Sequence, residues 1–359
     1  MEDNNRKSVK RRCIIVIGVI MAMGLLSGYS VYADNGKTVR DTVEYLEVGE
    51  AVHYEQLTII PINSTRIKDY THYVTLDMAL KNKYLQIREI DGGNVPEVML
   101  SNISDKTIYI MSGEILTGCK QDRIVGKDLL IRPKGKKVLV PVYCVEQGRW
   151  FHNSKEFYSQ KNLGTYKLRA AAQGASVLAQ QEIWDEVEKS NKKMSVRSST
   201  NAYQDVYKDK EVEKKIEAIE QGILRDLELE KDTIGVAVGL GDRIISVDIF
   251  ANPYLFKEMW PKILKSSALS AASDDREVYI SRQDALIALE AVYKSSYTRK
   301  KAVDLGFEYF CENEKLTVNA LVFRDAVIHL AAFPREEEKI GRKDFENEEQ
   351  NTRLIRLQY

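Results

Sequence analysis

The sequence predicts an α+β fold: an antiparallel sheet of short strands in the N-terminal half packed against long helices, with a further hairpin and helices C-terminal to them. Three observations carry that expectation. Over residues 43–145, short alternating apolar runs are broken by turn residues such as Asp91-Gly92-Gly93, Ser104-Asp105 and Lys134-Gly135-Lys136, the pattern of half-buried strands joined by tight turns. Over residues 166–189 and 204–230 the apolar spacing changes to a helical period. Beyond them, 233–238 and 244–250 flank Gly239-Leu240-Gly241-Asp242; a strand follows these glycines, so they make a hairpin, whereas a phosphate-cradling loop opens a helix.

Composition limits the function classes. A chain of 359 residues with 44% hydrophobic content can bury a sizeable core. Lysine plus arginine equal aspartate plus glutamate at 53 each, so no net field draws the chain to nucleic acid. Basic character is concentrated at Arg6, Lys7, Lys10, Arg11 and Arg12, ahead of an apolar run over 13–26 and a small-residue pattern at Val31-Tyr32-Ala33. Residues 1–33 therefore read as a signal peptide or an uncleaved N-terminal membrane anchor, the apolar core being short of the roughly 20 residues of a comfortable span. Either outcome places the bulk of the chain outside the cytoplasm, secreted or tethered. Membrane contact is expected only through this segment, and the oligomeric state stays open.

In order, 34–42 reads as a linker, 43–333 as a single α+β domain and 334–359 as a charged tail. Residues 57–60 suit a strand entering a core, and 75–80 a short helix capped by Thr75. Strands follow at 84–90, 95–102 and 106–111. Residues 119–125, if extended, put Cys119, Gln121, Arg123 and Val125 on one face. The run over 138–145 is apolar at both parities, which argues for a doubly covered strand, while Pro141 argues for a bulge or margin. After the helices and the hairpin come a helix over 255–272, another over 284–294, and closing strands over 306–310 and 316–323. His329, in an apolar run, reads as a satisfied core histidine.

Two polar knots stand out. One runs from Gly113-Glu114 to Lys120-Gln121-Asp122-Arg123; the other is Cys144-Val145-Glu146-Gln147-Gly148-Arg149-Trp150. Reactive groups thus sit at the end of a buried strand, and the two knots are expected to meet. Glu146 and Arg149 have two readings: a charge-assisted pair pinning the exit loop, or a carboxylate in a desolvated cleft whose raised pKa suits acid or base work. Cys119 and Cys144 are either small buried residues or a bridge. Four histidines without metal-binding spacing, and the absence of a Cys-x-x-Cys pair, give no metal site, and no cofactor motif is present.

These residues, with Asp248-Ile249-Phe250, Leu255-Phe256 and Trp260-Pro261-Lys262, resemble the prokaryotic domain associated with ADP-ribosylglycohydrolases and rhodanese-phosphatases, a family of poorly defined function, over residues 43–333. The resemblance implies a genomic setting of ADP-ribose or phosphoester chemistry. It extends to a Gln-x-x-Trp element that makes Arg169, Gln181 and Trp184 candidates to face the knots. Two functions are carried forward. In one, a hydrolase-type pocket for a small anionic ligand, such as a phosphate or ADP-ribose compound, uses Glu146 or Glu114 as acid or base and Cys144 as a secondary nucleophile. Lys120, Gln121, Arg123, Gln147, Arg149 and Trp150 then hold the ligand. In the other, the same residues form a rigid network in a non-catalytic secreted binding or scaffold domain.

Overall fold

The computed structural model describes residues 36–90, 96–174, 176–273 and 278–335. The signal or anchor segment, the 91–93 turn and the charged tail beyond Arg335 lie outside the described residues. Among those described, eight helices combine with mostly antiparallel sheets, so the chain is α+β.

The largest sheet has nine strands and joins the two ends of the domain. Leu57–Ser64 pairs with Thr233–Leu240, which forms the expected hairpin with Arg243–Phe250 across Gly241. Ala326–Pro334, Leu316–Phe323, Phe307–Glu312 and Thr298–Lys301 continue the sheet in that order. Its central strands are buried along their whole length, as apolar residues at both parities require. Leu57, Ile59, Val236 and Val238 face the helices Lys210–Asp226 and Pro253–Ala271. Ile60, Ile62, Ala237 and Ile249 face the opposite way, onto Arg282–Lys294.

The antiparallel sheet expected in the N-terminal half is divided, its strands from Val74 to Tyr158 forming two smaller sheets. One is six-stranded, in the order Phe157–Tyr158, Ile115–Gly118, Arg123–Val125, Val138–Cys144, Glu97–Asn102, Leu85–Glu89; the other has three strands and includes a parallel pair, Val74–Thr75 with Ile108–Ile110. Val138–Cys144 is not doubly covered. Val140, Val142 and Cys144 are buried, whereas Leu139 is exposed and Pro141 and Tyr143 are half-buried. Pro141 sits where the strand changes partner: residues 138–141 pair with Glu97–Asn102 and 142–144 with Arg123–Val125. A residue without an amide hydrogen is tolerated at such a switch.

Three further expectations are corrected. Residues 34–42 do not read through as a linker, because Lys37–Val43 is a helix whose Val39 and Val43, one turn apart, enter the core beside Arg282–Lys294. The long helix over 166–189 is two, Tyr166–Gln173 and Ala179–Lys193, parted after Gly174. Likewise 204–230 divides at Asp209, whose carboxylate caps Lys210–Asp226 by accepting from the amides of Glu211 and Val212. No helix among the described residues is long and apolar enough to cross a membrane.

Candidate functional site

The first knot is a hairpin turn, not an extended strand. Ile115–Gly118 and Arg123–Val125 pair, and the chain reverses through Gly118 at φ +114° and Cys119 at φ +50°. The expected shared face of Cys119, Gln121, Arg123 and Val125 therefore does not exist. Asp122 closes the turn by accepting from the Gly118 amide at 2.9 Å.

The second knot docks onto that turn, so the two do meet. Arg149 contacts Asp122 Oδ1 at 3.0 Å and Glu146 Oε2 at 2.5 Å, and donates to the Cys119 carbonyl. Glu146 Oε2 also accepts from the Asp122 amide, and Oε1 accepts from the Thr200 hydroxyl at 2.9 Å. Gln121 donates to the Glu146 carbonyl and accepts from Arg123 Nη1 at 2.8 Å. Glu146, Arg149, Asp122, Gln121 and Arg123 are all at most 6% exposed.

Burial sets the electrostatics. It pushes the Asp122 carboxyl up to about 6, against the Gly118 amide and Arg149, and lowers Arg123 despite Cys144 and Glu89 nearby. Arg149 is raised, burial being outweighed by Glu146 and Asp122. Both thiols are raised by burial, Cys119 to about 12, so neither supplies thiolate near neutral pH. Cys144 Sγ donates to the Glu146 carbonyl at 3.3 Å, and Gln180 brackets the Cys144 backbone at both N and O. Cys119, Cys144 and Cys311 are free thiols.

Glu114 belongs to a different cluster. Its Oε2 accepts from the Met111 amide, Oε1 pairs with Lys262, and Lys262 also meets Asp77 at 2.7 Å. Burial raises the Glu114 carboxyl and is only partly offset by Lys262. Of the remaining expected ligand residues, Lys120 lies 5.2 Å over the half-exposed Trp150 ring, and Gln147 is exposed.

A third cluster escaped sequence reasoning. Arg169 binds Asp248 through both Nη atoms; His329 bridges Asp248 Oδ1 at 3.2 Å and Asp128 Oδ2 at 2.8 Å; Asp128 Oδ1 accepts from the Ser112 amide. Arg169, Asp248 and His329 are at most 2% exposed. Burial disfavours the charged forms, yet Arg169 and His329 hold Asp248 well below the usual carboxylate range, and Asp128 and Asp248 raise His329. His329 is thus a satisfied core histidine, stacked on Phe250. Arg169 passes the first knot with its stem against Gly113, but its head goes to the large sheet. Gln181 is exposed and bonds to Asp185, whereas Gln180 reaches the Cys144 backbone and the half-buried Trp184, as expected, faces the Cys144 thiol. The available signal was Asp248 itself, a carboxylate inside the apolar run of residues 244–250.

Fold and clusters together define an α+β domain whose sheets are tied by buried ion pairs. The chain belongs to the ARG and Rhodanese-Phosphatase-superfamily-associated Protein domain family, whose model matches residues 45–333. No curated protein and no solved structure matches it.

Proposed function

We propose that the chain is a non-catalytic binding domain working outside the cytoplasm, in which the two knots serve as a rigid frame. One observation carries the reading: each expected acid or base already has both carboxylate oxygens engaged, Glu146 by Arg149, the Asp122 amide and Thr200, and Glu114 by Lys262 and the Met111 amide. A general acid or base needs a proton path to substrate, whereas a satisfied buried network holds a fixed geometry. The basic and apolar segment over residues 6–33 supports the location. The hydrolase reading requires the Glu146–Arg149 pair to open when substrate arrives. A turnover screen of phosphomonoesters and ADP-ribose compounds, run on wild type and Glu146→Gln, tests the proposal. The expected outcome is background hydrolysis by both; turnover by wild type that Glu146→Gln abolishes would overturn it.

A further inference from the structure

A cleft of about 510 Å³ opens between the last turns of the helix Ala179–Lys193 and the loop over residues 196–201 that follows it. Small-ligand sites usually measure about 300–1,000 Å³. The rear of the loop is bolted to the second knot: the Thr200 hydroxyl donates to Glu146 Oε1, and the Thr200 carbonyl accepts from the Gly148 amide at 2.7 Å. Ser198 fixes the middle of the loop, donating to Asp205 Oδ2 at 2.7 Å and accepting from the Ala202 amide at 2.8 Å. The frame thus positions one wall of the cleft.

Three wall residues have bonding capacity that the protein does not use. Asn191 is 5% exposed and donates through Nδ2 to Asn201 Oδ1 at 2.9 Å, while its own Oδ1 is buried with no hydrogen-bond partner. A buried acceptor left unpaired is destabilising, so a donor from outside the chain would complete it. Asn201, held through its oxygen, keeps its Nδ2 for a further acceptor. Arg197 lines the cleft, is exposed, and makes no hydrogen bond or ion pair among the described residues. Lys192 and Glu188 pair with each other at 2.5 Å, so Arg197 is the uncompensated charge of the wall. The closing carbonyls of the helix, those of Ser190, Asn191 and Lys192, already accept from the amides of Met194, Val196 and Ser195. A ligand that meets these groups carries an anion for the guanidinium, an N–H or O–H for Asn191 and an acceptor for Asn201. A phosphate dianion offers acceptors alone and leaves Asn191 unpaired, and a neutral sugar leaves Arg197 unused. The end of a peptide has all three in adjacent positions, and its carboxylate matches the guanidinium fork.

We infer that this cleft binds the free carboxyl end of a peptide, with the carboxylate on Arg197, the last amide N–H on Asn191 Oδ1 and the preceding carbonyl on Asn201 Nδ2. The inference names a ligand class for the binding reading above and rests on it. The test is calorimetric titration of the folded chain with acetyl-trialanine, with its C-terminal carboxamide, and with the ester analogue in which oxygen replaces the last peptide N–H. Wild type is expected to bind the acid saturably and each analogue at least tenfold more weakly. Arg197→Gln changes an exposed side chain that makes no bond within the protein, so its melting temperature should match wild type, and it should bind the acid no better than the carboxamide. Asn191→Ala should bind the peptide and the ester alike; it also removes the bond to Asn201, and if it is destabilised the analogues and Arg197→Gln still decide. No saturable binding of the acid by wild type, equal affinity for all three compounds, or a preference for the acid that persists in Arg197→Gln would overturn the site and leave the non-catalytic reading standing. Saturable binding of the acid accompanied by its cleavage would uphold the site and overturn the non-catalytic reading instead.

Discussion

Replacing Arg169 by methionine tests the buried network that ties the sheets together. Methionine keeps the unbranched stem that runs over Gly113 and removes the guanidinium that grips Asp248 through two nitrogens. Asp248 is fully buried, so the variant leaves a carboxylate in the core with His329 as its remaining cation. Breaking one side of such a pair costs about 3–5 kcal/mol. At roughly 2 °C per kcal/mol for a domain of this size, the melting temperature should fall by roughly 6–10 °C. The double variant Arg169→Met with Asp248→Asn removes the stranded charge and should recover at least half of the loss. Urea unfolding of wild type, both single variants and the double variant gives the cycle. A single-variant loss below about 1 kcal/mol, or a double variant no better than Arg169→Met, would refute the reasoning that burial of the unpaired carboxylate dominates.

Other outcomes follow from the same geometry. His329 is raised above its ordinary 6.5 and Asp248 is held below its ordinary 3.8. The histidine contribution is therefore complete below pH 6.5 and lost as pH rises through the folded value, while the aspartate contribution is complete above pH 3.8 and lost as pH falls. Unfolding free energy measured across pH should be highest between those limits, and His329→Gln should flatten the alkaline decline; an unchanged decline would show that other groups drive it. Gly113→Ala should cost about 1–3 kcal/mol, because the residue sits at φ +93° and a Cβ would meet Arg169 Cγ at 2.5 Å; a melting temperature equal to wild type would contradict this. Iodoacetamide at pH 8 should leave Cys119 and Cys144 unmodified in the native protein and label both after denaturation, as intact mass would report, since both are buried protonated thiols. Rapid native labelling of either would contradict their burial.

The parts of the fold governed by local pattern were readable beforehand. The hairpin at residues 239–242, the α+β class and the meeting of the two knots all follow from turn residues and from polar groups placed at strand ends. Parity misled at residues 119–125, because a positive φ at Cys119 converts a strand into a turn and cancels alternation. It misled again at residues 138–145, where apolar residues on the outer face are half-buried or exposed. The helix break after Gly174 and the helix at Lys37–Val43 depend on packing against distant elements, which a window of local sequence does not contain. The same limit hid the third cluster: Asp128, Arg169, Asp248 and His329 are brought together by strands and a helix widely separated in the chain.

The central claim is that Glu146 is a member of a frame and not a reactive group, and the unfolding free energy of Glu146→Gln relative to wild type tests it most directly. Substituting a catalytic carboxylate commonly leaves stability unchanged or improves it, because active sites trade stability for function. Substituting a framed one takes from Arg149, which is 4% exposed, the nearer of its two carboxylates, leaving Asp122, and weakens the bonds to Thr200 and the Asp122 amide. A loss of about 1.5–3 kcal/mol is the result this account predicts, and a variant as stable as wild type or more so is the result that would contradict it.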